Sequence, residues 1–231
     1  SKYRAASALL ALQAARAARA ARPQGLAALA QTILRYQIIA ATFAERAVGV
    51  MLAEQRIDAP PQASLNLPAF TTPPLSLERM AAATETDAEF QRLVESITQE
   101  TARAAQQAAV TTRPEIGWVR HLTLPSCSRC AVLAGRVYRW SDGFLRHPGC
   151  DCTMTPTSEG DSSMAYDVED LVRSGRVTGL SKADRQALDD GADFSRVVNV
   201  HSRKAGLTES GRVLERAGRM TPEGIYRMAS D

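Results

Sequence analysis

Aromatic side chains are scarce in this chain, at 5% of 231 residues, and much of its 45% hydrophobic share is alanine. Alanine buries little area per residue, so a thick aromatic core is excluded. The same composition favours long helices, because alanine is the strongest helix former. No run of 18 apolar residues is without a charge, so no membrane span is expected. Lys2 and Arg4 ahead of Ala5 to Ala15 loosely mimic a secretion signal. Arg16, Arg19 and Arg22 then stand where a small-residue cleavage site belongs, so such a signal is not expected. The net charge of +3 is too small to imply nucleic-acid binding by itself. The nucleophile elbow Gly-x-Ser-x-Gly, a phosphate-binding glycine loop and an HExxH helix are all missing.

Cysteine is absent outside one window of 26 residues, which holds Cys127, Cys130, Cys150 and Cys152. That excludes a disulfide framework spread through the chain and, in a reducing compartment, reads as metal binding.

The pattern divides the chain into five parts: an N-terminal helical region (1–57), a Pro-rich linker (58–75), a second helical region (76–114), a zinc-stapled domain (115–200) and a basic tail with a short helix (201–231). Residues 2–22 form one helix with Arg16, Arg19 and Arg22 on roughly one face and no acid. Such a strip is a solvated face or a surface for DNA or an acidic partner. A second helix runs from Gly25 to about Ile57, with Leu26, Leu29, Ile33, Tyr36, Ala40, Phe43, Ala47 and Val50 near a 3.6-residue period. Pro60, Pro61, Pro68, Pro73 and Pro74 make 58–75 an extended linker and the best domain boundary. Leu77–Thr111 is a third helix or a broken pair. Thr86 and Glu89 have capping-box spacing ahead of Phe90, Val94 and Ile97. The second and third helices are expected to pack antiparallel.

Strand patterns follow at 115–124, 135–140 and 153–157, then short helices from about Asp167 to Ser174 and from Ser181 to Asp190. Residues 159–193 carry nine acids against four bases. Glu169-Asp170 and Asp189-Asp190 read as solvated faces. Thr221-Pro222-Glu223 is a helix start in the tail. The expected fold class is α+β, mainly α, with long N-terminal helices and a small zinc-stapled C-terminal domain containing β-strands.

Five candidates compete for four metal positions. Cys127/Cys130 and His147/Cys150 share the two-residue spacing that lets one turn present both side chains to a metal, and Cys152 is the fifth. Zinc takes four tetrahedral thiolate or imidazole ligands. One set is the four cysteines with His147 behind them; the other is Cys127, Cys130, His147 and Cys150. Either fills the coordination sphere, so the zinc is structural, and residues 127–152 become a knot that staples a weak domain. His121 is expected in a supporting role beside the site, and His201 on the surface. Arg129, Arg136, Arg139 and Arg146 form a basic rim, with Tyr138, Trp140 and Phe144 as sparse aromatic company.

The string Cys-Ser-Arg-Cys-Ala-Val-Leu-Ala-Gly-Arg-Val-Tyr at 127–138, followed by His-Pro-Gly-Cys-Asp-Cys at 147–152, resembles the head-morphogenesis domain of Mu-F-like phage minor head proteins. The resemblance covers about residues 115–157. Leu180 to Asp184 and Thr221 to Tyr226 are similar to actinobacteriophage versions. Asp151 departs from the pattern, standing where a basic residue is common. The resemblance implies a minor capsid protein of the virion, in the head interior or at the portal vertex. It implies portal, major capsid or scaffold proteins as partners, and a role in head assembly and in DNA packaging or delivery. Packaged DNA would meet the chain through Arg16, Arg19 and Arg22. A capsid maturation protease is the alternative, although no activated nucleophile with a base partner is evident: Ser126 and His121 are close only along the chain. A zinc-ribbon-like nucleic-acid binder is the second alternative.

Overall fold

The computed structural model describes residues 2–59, 63–144 and 152–200. It is mainly helical α+β, with long N-terminal helices and small C-terminal sheets. Two compact units emerge: Ser1–Val119 with Val137–Phe144 and Thr153–Ser162, and Arg120–Arg136 with Leu145–Cys152 and Ser163–Asp231. The first unit therefore runs across 58–75, and the boundary expected there is not where the chain divides.

In the first unit α1 (Lys2–Ala21) buries Ala11, Ala14, Ala15, Ala18 and Ala21. This spacing puts small side chains on one stripe. α2 (Leu26–Glu54) buries Leu29, Ala30, Ile33, Gln37, Ala40, Ala41, Ala44, Val48 and Leu52. Leu26 and Val50, expected inside, are 52% and 58% exposed. The buried stripe is rotated from the expected one, because alanines and a glutamine face the neighbours. By length and apolar content α2 passes as a membrane-crossing helix, but its apolar stripe is packed on α1 and α4. It ends before the prolines, and Arg56 takes a left-handed φ of 58° just beyond it.

The third helical region is a broken pair, α3 (Pro74–Ala82) and α4 (Asp87–Thr111). The capping box forms as read: the Glu89 amide donates to Thr86 Oγ1 at 3.1 Å, and the Thr86 amide to Glu89 Oε2 at 3.2 Å. The Glu85 and Thr86 amides, both donating to its carboxylate, hold the Glu89 carboxyl below its ordinary range.

The helix directions correct one expectation. Ala18, Leu29 and Phe90 share one core cluster, whereas Tyr3, Ala44 and Ala105 share another. Numbers rise together along α2 and α4, so these two helices run parallel, and α1 runs against both. The proline-rich segment makes this possible. Leu67 and Phe70 cover the Ala44–Ala105 end, and Leu77 and Ala81 reach the Leu29–Phe90 end. Between them Gln37 Nε2 donates to Thr72 Oγ1 and Thr101 Oγ1 at 3.0 and 2.7 Å, and the Thr72 amide donates to Gln37 Oε1 at 3.2 Å. The segment is a strap returning the chain along the bundle.

A three-stranded sheet has the order β3-β1-β4, from β1 (Ile116–His121), β3 (Val137–Tyr138) and β4 (Thr153–Ser158). β1 and β3 are antiparallel, with Trp118 opposite Tyr138. Gly117 is required there, since a Cβ would stand 2.6 Å from the Tyr138 carbonyl oxygen. Trp118 stacks on Tyr138 at 4.1 Å and meets Phe144 at 5.3 Å. Gln55 and Gln106 donate to the Pro156 and Met154 carbonyls of β4 at 2.8 and 2.9 Å.

In the second unit β2 (Ser126–Cys127) pairs in parallel with β5 (Val177–Thr178). The helices are α5 (Ser128–Ala134), α6 (Val168–Arg173), α7 (Lys182–Asp189) and α8 (Phe194–Val200). Asp167 caps α6, and Ser181 with Asp184 forms a capping box on α7, at the starts the sequence indicates. Glu169, Asp170, Asp189 and Asp190 are exposed. The tail helix start at Thr221 and His201 lie outside the described residues.

Candidate metal centre

Cys127 ends β2 and caps α5. Its backbone is extended, at φ −69° and ψ 152°, and pairs with Thr178 across the two-stranded ladder. The chain then turns into α5, which carries Cys130 in its first turn. The Cys130 amide donates to Cys127 Sγ at 3.4 Å. This contact gives the two-residue spacing its physical sense: one short turn orients both sulfurs, and an amide N–H aimed at a sulfur favours its thiolate. Cys127 is half-buried and Cys130 is buried.

Arg120 lies against Cys130. It is 1% exposed, and its Nη1 donates to Cys130 Sγ at 4.0 Å. The alternation read across 115–124 conceals it. Residues 116 to 120 are all buried, so this strand is not half-buried and its arginine points into the interior like its neighbours. The signal available was a charged residue inside Ile-Gly-Trp-Val-Arg-His-Leu.

Cys152 is fully buried. His121 and Tyr166 form a further group, with Tyr166 Oη 3.3 Å from His121 Nδ1. Burial pushes the Tyr166 phenol above its ordinary range; a backbone hydrogen bond from Leu122 opposes this and the Cys152 sulfur adds to it. Tyr166 had no signal in the sequence. His121 stands at the end of β1, where its contact is with Tyr166.

Among the described residues, no three His, Cys, Asp or Glu side chains gather closely enough to hold a metal ion. Cys127, Cys130 and Cys152 therefore do not complete a three-ligand set by themselves. Among them no disulfide forms. His147 and Cys150 lie outside the described residues, as does Asp151. The donor chemistry of the Cys127–Cys130 turn fits one half of a tetrahedral thiolate site, with the amide support that such a site uses.

The basic strip of α1 is partly engaged. Arg19 and Arg22 reach Asp87 of α4, at 2.5 and 3.6 Å, and Arg22 also lies over the Phe90 ring at 4.7 Å. Arg16 is exposed. In the expected rim around the thiols, Arg139 pairs with Glu159 at 2.8 Å, and Tyr138 and Phe144 are committed to Trp118.

The chain matches the family model described as VG15 protein over residues 2–174. No curated protein and no solved structure matches it.

Proposed function

The chain belongs to the VG15 protein family, and we propose that it serves as a structural, non-enzymatic minor capsid protein of a tailed phage head. In this reading it acts in head assembly and in DNA packaging or delivery near the portal. The paired motifs at 127–138 and 147–152, similar to the head-morphogenesis domain, support the phage assignment. One zinc ion ties the C-terminal domain, held by Cys127 and Cys130 with two of His147, Cys150 and Cys152. The observation that carries the metal part is the turn in which Cys127 caps α5 and accepts the Cys130 amide. Zinc in such a closed site contributes folding energy and does no chemistry on a substrate.

Two measurements test the proposal. Elemental analysis of protein purified under reducing conditions is expected to give one zinc per chain, and chelation is expected to broaden the spectra of residues 115–157 while the α1–α4 signals persist. Folded protein with a zinc content near zero refutes the metal part. Imaging of the portal vertex of the virion is expected to locate the chain there. Specific cleavage of unprocessed major capsid protein by the pure chain, abolished by one Ser or Cys substitution, would favour the protease alternative instead. The nucleic-acid alternative loses support from the packing of Tyr138 and Phe144 on Trp118, which leaves those faces unavailable for base stacking.

A further inference from the structure

We infer that Arg120 is a positioning residue of the metal centre, holding Cys130 and offsetting the negative charge that thiolate ligands bring. The inference rests on the zinc reading above and goes beyond it, because it concerns a residue outside the cysteine and histidine motif.

Its ground is the Arg120–Cys130 contact. A guanidinium cannot shed its proton inside a protein, so the 1% exposed Arg120 carries its charge into the interior. A buried cation is tolerated where anionic or polar groups meet its donors. The structure puts Cys130 Sγ, itself on a buried residue, 4.0 Å from Arg120 Nη1. A neutral thiol is a weak acceptor, whereas a metal-bound thiolate is a negative one. Two thiolates on a divalent zinc ion neutralise it, and every further thiolate leaves the centre negative. With Cys127, Cys130 and one or two of the remaining cysteines as ligands, the cluster carries one or two excess negative charges inside the protein. A fixed cation in contact with one of its sulfurs compensates that charge.

The geometry also separates the two sulfurs. Cys127 Sγ receives the Cys130 amide at 3.4 Å, and Cys130 Sγ receives Arg120. Each thiol of the pair thus has its own N–H donor, one from the backbone of α5 and one from the Arg120 side chain on β1. Partners of this kind orient ligands and tune metal affinity, and their loss typically weakens binding about 10- to 100-fold.

The test uses the full chain with R120Q and R120K, each titrated with zinc against a chromophoric chelator while helix content is followed by circular dichroism. R120Q keeps a donor and loses the charge; its zinc affinity is expected to fall about 10- to 100-fold with helix content intact. R120K keeps the charge and is expected to lie closer to the wild type than to R120Q. Equal affinity of R120Q and wild type overturns the inference and leaves the zinc site standing. Equal losses in R120Q and R120K also overturn it, since they indicate packing in place of charge. If R120Q loses its cooperative thermal transition, R120K decides: affinity within about tenfold of wild type supports the inference and a larger loss overturns it. A wild-type chain that takes up no zinc refutes the metal reading itself, which is a different result from any of these.

Discussion

Replacing Gln37 by Met should loosen the strap that lets α2 and α4 run parallel. Gln37 is fully buried and makes three hydrogen bonds, to Thr72 Oγ1, to Thr101 Oγ1 and from the Thr72 amide. Methionine is close to it in length, so the cavity contribution is small and the lost hydrogen bonds dominate. The three losses are unequal. Thr101 Oγ1 retains its own bond to the Ile97 carbonyl at 3.0 Å, so it forfeits an incoming donor only. The Thr72 amide loses the acceptor that Gln37 supplies, on a half-buried residue which water reaches in part. At about 1 kcal/mol net for each bond, the expected destabilisation is about 2–3 kcal/mol. Urea unfolding of the full chain, followed by helical circular dichroism, reads this as a lower midpoint at constant slope. Adding T101V should cost less in the Q37M background than alone, because one bond of the network is already gone. A Q37M loss under about 0.5 kcal/mol, or fully additive effects with T101V, would refute the strap argument.

Two further outcomes follow. Burial pushes the Tyr3 phenol from 10.0 up to about 12. The raised value means that folding favours the protonated ring, so its contribution is complete below pH 10 and is lost as pH rises toward 12; thermal melts should show this alkaline loss, and Y3F should flatten it. Changing Arg16, Arg19 and Arg22 together to Gln should leave folding nearly unchanged, while incorporation into heads or DNA retention falls; normal incorporation and DNA content would make the strip a solvated face only.

The helices were legible because their boundaries are written in local chemistry. The capping pairs Thr86/Glu89 and Ser181/Asp184 act within four residues of each other. Gly175 and Gly191 end their helices at φ 69° and 91°, a conformation glycine adopts without penalty. The faces of those helices were less legible. Apolar periodicity selected Leu26 and Val50, but the bundle buries Ala41, Ala44 and Gln37, since close packing of small residues decides the face as much as hydropathy does. Direction was not written locally at all. An antiparallel pair is the simple expectation for two helices joined by a loop, yet the 58–75 segment is long enough to travel back along the bundle. At the candidate centre, the spacing of Cys127 and Cys130 pointed to a shared turn, and the amide of Cys130 bears that out. That this turn opens a helix was not visible, because Cys127 is an unusual cap and α5 has only 7 residues. β2 and β5 escaped notice for a similar reason. Two-residue strands have no period to detect, and their pairing joins residues some 50 positions apart.

The arginines of α1 show why an internal partner does not exclude an external one. Arg19 and Asp87 are 65% and 57% exposed in their side chains, and Arg22 is 39% exposed. Ion pairs in such surroundings contribute at most about 1 kcal/mol, since water screens the attraction and ordering two side chains costs entropy. α1 is held instead by its alanine stripe, with Ala11, Ala14 and Ala18 entirely buried. Asp87 has a local role of its own at the start of α4, where a negative charge meets the helix dipole. A phosphate or carboxylate arriving from outside would therefore displace a weak contact and leave the bundle intact. Arg22 is the most restrained of the three, because its stacking on Phe90 adds to the ion pair. The order in which these side chains are available to an acidic partner is thus Arg16, then Arg19, then Arg22, the reverse of how firmly each is tied to α4.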